Sequence, residues 1–245
     1  MQSLQLSLGR VTVLTSVLWV VVLTAAGCGI RPASMHSGTS GEAPAQTAYV
    51  PASGKGPAVI VLSGASGPRL YEAFSADLAK EGFYAVLLDG NDVPRNAQGE
   101  ARLRSAIERT QSTPNVVPGK VVVVGFSLGG GAALVHAATM PELVSAVIVY
   151  YPSTAFVSDP REFTRRFRVP ILMLAGERDQ YHSCCLIEKA RAIEAAAQEQ
   201  RATFTLVAYP YAEHSFNLAV PAYRAQADAD AWKRTLDMIR RSMHP

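Results

Sequence analysis

The chain has 245 residues, of which 49% are apolar, enough for one α/β domain with a sizeable core. Its 23 Lys and Arg nearly balance its 20 Asp and Glu, leaving a formal charge of +3, which argues against a nucleic-acid-binding protein. The one basic cluster, Arg161 to Arg168, also holds Glu162, Phe163 and Phe167 and reads as a solvated helix or loop.

The N-terminal segment stands apart. Val11 to Ala26 is largely apolar, follows Arg10, and ends in Thr24-Ala25-Ala26-Gly27-Cys28. This pattern predicts a secretory signal over residues 1–28. The Ala-Gly-Cys ending resembles a bacterial lipobox, in which Cys28 would be lipidated and anchor the protein to a membrane of the cell envelope. A plain secretory or periplasmic signal and an uncleaved anchor are the competing readings, the apolar run being barely long enough to span a bilayer. Residues 29–56 are rich in Ser, Gly, Ala, Pro and Thr and predict a flexible linker.

From Pro57 to the C-terminus, strands and helices alternate. Strands are expected at Ala58 to Ser63, Tyr84 to Leu88, Val121 to Val124, Val144 to Tyr150, Ile171 to Leu174 and Thr203 to Tyr209. Helices are expected at Leu70 to Glu81, Glu100 to Gln111, Leu128 to Met140, His182 to Gln198 and Tyr223 to Arg241. Short, continuous apolar strands between helices imply a mostly parallel sheet covered on both faces. Ligands on such sheets bind beyond the carboxyl ends of the strands.

Three loops at those ends carry reactive residues. The Val121–Val124 run leads into Gly125-Phe126-Ser127-Leu128-Gly129, a Gly-x-Ser-x-Gly sequence in a strand–turn–helix context. A serine on so sharp a turn needs neighbours without bulk, which the glycines supply. Asp179 follows Ile171–Leu174, and His214 follows Thr203–Tyr209. The chain order Ser, Asp, His is that of α/β-hydrolases. Asp179 could alternatively cap the helix near His182. Glu177 is the nearest rival acid and is expected to be exposed, as is Glu213. His136 and His182 are given no role. Tyr150 and Tyr151 could line the acyl pocket or belong to the core.

These residues resemble the dienelactone hydrolase family of the α/β-hydrolase superfamily. The likeness runs from Pro57 to the C-terminus and is strongest at Gly125-Phe126-Ser127-Leu128-Gly129-Gly130, Ala175-Gly176-Glu177-Arg178-Asp179 and Tyr211-Ala212-Glu213-His214-Ser215-Phe216. Pro57 to Leu62 resembles the family's first core strand, and Phe74 to Phe83 its first helix. Members of that family carry cysteine at the nucleophile position, where this chain has Ser127, and His-Glu where this chain has Ser63-Gly64. The resemblance therefore implies the fold and the triad geometry, and leaves the substrate open.

The expected chemistry is hydrolysis of a small carboxylic ester or lactone through an acyl-enzyme, with Ser127 as nucleophile, His214 as general base and Asp179 orienting the imidazole. The oxyanion is expected to meet the backbone N–H of Leu128 and, by alignment with the family's loop, that of Ala65. A prolyl-oligopeptidase-like peptidase and a non-catalytic binding lipoprotein of the same fold are the alternatives. No cofactor or metal is expected. The adjacent Cys184 and Cys185 could form a vicinal disulfide or remain as two buried thiols. Ser153 to Arg168 leaves room for only a modest lid.

Overall fold

The computed structural model describes residues 44–243. The expected signal segment with Cys28, and the expected linker up to residue 43, lie outside the described residues. Strands β1 (Gln46–Tyr49), β2 (Ala58–Leu62), β3 (Tyr84–Leu88), β4 (Val121–Phe126), β5 (Val144–Tyr150), β6 (Ile171–Gly176) and β7 (Phe204–Tyr209) form one sheet in the order β1-β3-β2-β4-β5-β6-β7. All neighbouring pairs are parallel except β1 with β3. Helices α1 (Glu72–Lys80), α2 (Ala97–Gln111), α3 (Ser127–Val135), α4 (Pro160–Thr164), α5 (Ile187–Glu199) and α6 (Ala225–Met243) surround it.

The period-2 alternation of strand side chains sorts the core into two layers. Ile60, Val86, Val123, Val147 and Met173 face one side, packed with Leu103 of α2, Leu134 of α3 and Ile193 of α5. Val61, Leu87, Val124, Ile148 and Leu174 face the other, packed with Leu78 of α1 and Ile239 of α6. Central strands buried on both faces explain the unbroken runs AVIVL and VVVVGF. Among the described residues no helix is long and apolar enough to cross a membrane.

Strand β1 corrects the expected linker. Gln46 to Tyr49 pair antiparallel with Leu88 to Ala85. Gln46 is held further by its Nε2–H to the Ala106 carbonyl (3.1 Å) and by Arg109 Nε–H to its Oε1 (3.0 Å). The folded body thus begins before Pro57. Four residues on a sheet edge, two half-exposed and two exposed, contribute too little hydrophobicity to stand out against a Ser- and Gly-rich background.

Helix boundaries also shift, α2 beginning at Ala97 and α6 running from Ala225 to Met243. The first helical stretch opens with a 3-10 turn, Pro68–Tyr71, before α1. α3 stops at Val135 and gives way to a 3-10 turn at Ala137–Thr139, close before Pro141, which disfavours helix at the residue preceding it. α5 starts at Ile187 rather than near His182. The stretch Ser153 to Arg168 forms the short α4, tied to α5 by the Arg161–Glu199 ion pair (2.9 Å), in place of a lid.

Candidate active site

β4 ends the way a nucleophile turn requires. Ser127 begins α3 with φ +49°, a left-handed conformation that non-glycine residues rarely adopt. The turn fits only because its flanks are bare. A Cβ on Gly125 would lie 2.6 Å from the Gly129 carbonyl oxygen. One on Gly129 would lie 2.4 Å from the Ser63 oxygen of the neighbouring loop. Ser127 is 8% exposed, so its hydroxyl sits at the floor of a cleft rather than on the open surface.

The imidazole arrives from the loop after β7. His214 Nε2 is 3.0 Å from Ser127 Oγ, and His214 Nδ1 is 2.7 Å from Asp179 Oδ2. Asp179, on the loop after β6, is 1% exposed. Its other oxygen, Oδ1, accepts the Tyr181 N–H at 3.0 Å. Asp179 therefore holds the imidazole with one carboxylate oxygen and a turn with the other, and it caps no helix. That turn is the 3-10 segment Tyr181–Ser183, not α5. Two aromatic rings clamp the imidazole: Tyr151 edge-on at 4.7 Å and Tyr181 stacked nearly parallel at 4.4 Å and 8°.

The loop after β2 supplies the opposite wall. Gly67 N–H closes a turn on the Gly64 carbonyl (3.1 Å), and Ala65, the second residue of that turn, keeps its N–H outside this bond. The Ala65 carbonyl accepts from Asn91 Nδ2 (3.1 Å). Ser63 anchors the loop, its N–H donating to the Leu88 carbonyl and its Oγ accepting the Gly90 N–H at 3.0 Å. Leu128 is the second residue of α3, where amide groups have no intrahelical acceptor. Ala65, Ser127 and His214 line one cavity of about 420 Å³.

The remaining candidates fall elsewhere. Glu177 is half-buried and ion-paired with Arg191, and Glu213 is exposed and ion-paired with Arg224 (2.8 Å). His136 is buried behind α3, bonding the Pro94 carbonyl (2.8 Å), and its Nδ1 has no partner. Burial pushes its pKa down, against the opposing pull of that carbonyl. Tyr150 is core, with its hydroxyl on Thr235 (2.8 Å). Tyr151, fully buried, instead joins core and site through His214 and the Asn217 side chain (2.8 Å). Tyr71 lines the cavity, and burial raises its pKa to about 12. Sequence reasoning missed Tyr71 and Tyr181, whose only signal is that each follows a strand end within the loop that carries another site residue. Cys184 and Cys185 form a disulfide, which decides the alternative left open by sequence. Among the described residues, the two sulfurs and a ring nitrogen of His214 lie within 4.8 Å of one another. Bonded sulfurs and an imidazole already engaged on both nitrogens do not make a donor set for a metal in this state.

The sequence profile of the Dienelactone hydrolase family matches residues 87–243, more than half of the chain. The chain belongs to this family. A curated relative from Methylorubrum extorquens, named carboxymethylenebutenolidase, is 28% identical over 151 residues, covering 59% of this chain and 51% of the relative. The chain spans about half the length of the curated relatives it matches first. Among solved structures, a dienelactone hydrolase from Klebsiella pneumoniae superposes with a TM-score of 0.68 at 21% identity, covering 80% of this chain and 99% of that one. Esterase 2 of Thermogutta terrifontis, solved phosphorylated by paraoxon, superposes with a TM-score of 0.64 at 17% identity, covering 82% and 90%. These likenesses establish the α/β-hydrolase fold.

Proposed function

We propose that this family member is a serine hydrolase that cleaves a small carboxylic ester or lactone through an acyl-enzyme. The observation that carries the reading is the continuous hydrogen-bonded chain Ser127 Oγ, His214, Asp179, closed without any movement of the loops. A serine hydroxyl is a weak nucleophile at neutral pH, so a base must take its proton as it attacks. With Nδ1–H donating to Asp179, His214 presents a bare Nε2 to the Ser127 hydroxyl. Nε2 accepts that proton as the serine oxygen adds to the carbonyl carbon, then returns it to the leaving alcohol. Asp179 holds the tautomer and stabilises the imidazolium. The developing oxyanion is met by the N–H groups of Leu128 and Ala65, each worth on the order of 3 kcal/mol in the transition state. Water, activated by the same imidazole, then cleaves the acyl-enzyme.

The cavity narrows the substrate. Leu70, Tyr71, Val220, Pro221 and Ala222 supply an apolar lining, and among the described residues no Lys or Arg lines it. The one carboxylate there, Glu213, is already paired with Arg224. An uncharged short acyl group fits this lining, whereas an anionic one would lose its hydration with no cation to replace it.

A fluorophosphonate probe tests the reading and separates it from a non-catalytic binding protein of the same fold. Wild type should label and hydrolyse p-nitrophenyl acetate, while Ser127→Ala should do neither, with a fall in kcat on the order of 10⁶-fold. Folded wild type that does not label would end the hydrolase reading. Peptide amides turned over faster than esters would favour the peptidase alternative.

We further propose that the protein is exported and held at the cell envelope through a lipid on Cys28. The support is the segment Thr24 to Cys28 and a disulfide at Cys184–Cys185, a bond that persists in oxidising compartments. A Cys28→Ala variant that stays in the membrane fraction would exclude the anchor.

A further inference from the structure

The connection from β6 to α5 does more than join two elements. It begins at Asp179, whose Oδ1 accepts the Tyr181 N–H, and it ends at Cys184, whose carbonyl accepts the N–H groups of Thr154 (2.8 Å) and Ala155 (3.0 Å). Between these anchors His182 and Ser183 both have left-handed backbones, at φ +46° and +52°. An L side chain disfavours this conformation at each of the two positions. Something must hold the turn in place. The bond between adjacent Cys184 and Cys185 closes a small ring through their own peptide and removes the extended conformations by which the turn could relax. The outcome of the turn is the Tyr181 ring lying flat on the imidazole of His214, although Tyr181 itself is 49% exposed and its other ring contact is His182 of the same turn (4.3 Å).

We propose that the Cys184–Cys185 disulfide is a redox-sensitive modification site that governs hydrolysis by fixing Tyr181 against His214. This rests on the serine hydrolase reading. Tyr181 is a positioning residue: its ring limits rotation of the imidazole between Ser127 and Asp179. The reductant is a dithiol, small or protein-borne. Its thiolate attacks the half-buried Cys184 sulfur, and the bond to the buried Cys185 breaks, releasing a thiolate that takes up a proton. The second thiol of the reductant then attacks the mixed disulfide and releases Cys184. Two electrons and two protons pass to the protein, and the dithiol leaves as a disulfide. The freed turn relaxes its left-handed residues, and Tyr181 leaves the imidazole face.

The experiment uses the full chain and p-nitrophenyl acetate, before and after dithiothreitol followed by desalting, with thiols counted chromogenically. Reduction should expose two additional thiols, from Cys184 and Cys185, and lower kcat about tenfold with little change in KM, since a misplaced catalytic group slows chemistry more than binding. Reoxidation should restore kcat. Oxidised Tyr181→Ala should match reduced wild type and no longer respond to dithiothreitol, whereas Tyr181→Phe, which keeps the ring, should still respond. The double variant Cys184→Ser/Cys185→Ser should melt cooperatively and be insensitive to dithiol. Two additional thiols with unchanged kcat would overturn the proposal. So would a disulfide that resists dithiol, or Tyr181→Ala and reduction lowering kcat by independent factors. Activity persisting in Ser127→Ala would instead defeat the underlying hydrolase reading, whatever dithiothreitol does.

Discussion

The nucleophile and the acid–base pair sit at the ends of strands of one sheet, β4 against β6 and β7 with β5 between them, but are held by different means. At the β4–α3 junction, backbone meets backbone: Gly125 against Gly129, and Gly129 against Ser63 and Leu62. The position of Ser127 follows from how closely a strand, a helix and a loop can approach, and little of it depends on side chains. The β6–α5 and β7–α6 connections meet as closely at one point, where a Cβ on Gly176 would lie 2.4 Å from the Ala212 carbonyl oxygen, but that contact by itself does not aim the two catalytic side chains. They are held by Asp179 bonding in two directions, by rings on both sides of His214 and by a covalent bond between neighbours. The first arrangement is set by backbone contact alone, while the second adds individual side-chain groups that can be altered one at a time.

With the nucleophile Ser127 left in place, the largest expected effect lies on the side-chain half. Asp179→Asn should leave the fold intact and lower kcat by roughly 10⁴-fold, because the amide cannot enforce the Nδ1–H tautomer. The buried carboxylate accepts both the His214 and the Tyr181 N–H, so the amide oxygen can satisfy only one of them. A kcat reduced less than tenfold in a folded variant would mean that the imidazole is oriented by its aromatic neighbours instead.

On the backbone half the same kind of small change should act on stability as well. Gly129→Ala places a methyl group 2.4 Å from the Ser63 oxygen and 2.6 Å from the oxygen of Leu62, which belongs to the β2 ladder. Destabilisation of about 1–3 kcal/mol is expected, read as a fall in melting temperature of about 2–4 °C per kcal/mol. Activity should fall with it, since the Ser63 to Gly67 loop would be pushed from the nucleophile. Unchanged melting would show that the junction yields more readily than its contacts imply.

How legible each half was in the sequence follows from the same difference. The Val run and the Gly-x-Ser-x-Gly turn are local, and their meaning survives without knowledge of distant residues. The alternation that places Asp179 and His214 at strand ends is also local, and the structure joins all three. Tyr181 stacked on His214 depends on a turn whose shape comes from two left-handed residues and a disulfide, none of which periodicity registers. The same segment explains why α5 begins at Ile187, since the residues from His182 have helical composition but not helical backbone. β1 was lost for a related reason, because an edge strand is specified by its partner, β3, and by Arg109, not by its own four residues.

The smallest expected effect is the pH dependence of the backbone half. His136 caps the end of α3, and burial lowers its folded pKa below the ordinary 6.5. The unfolded chain therefore binds a proton here at a pH where the folded chain does not. Stability from this group is fully present above the unfolded value and is lost as pH falls through 6.5 towards the lower folded pKa. His136→Gln removes the titration while its amide can still donate to the Pro94 carbonyl, the bond His136 makes at 2.8 Å. Between about pH 7 and about pH 5 the melting temperature of wild type should drop more steeply than that of His136→Gln. If the two curves run parallel, the imidazole becomes protonated without opening the helix end, and the acid sensitivity of the junction must come from another group.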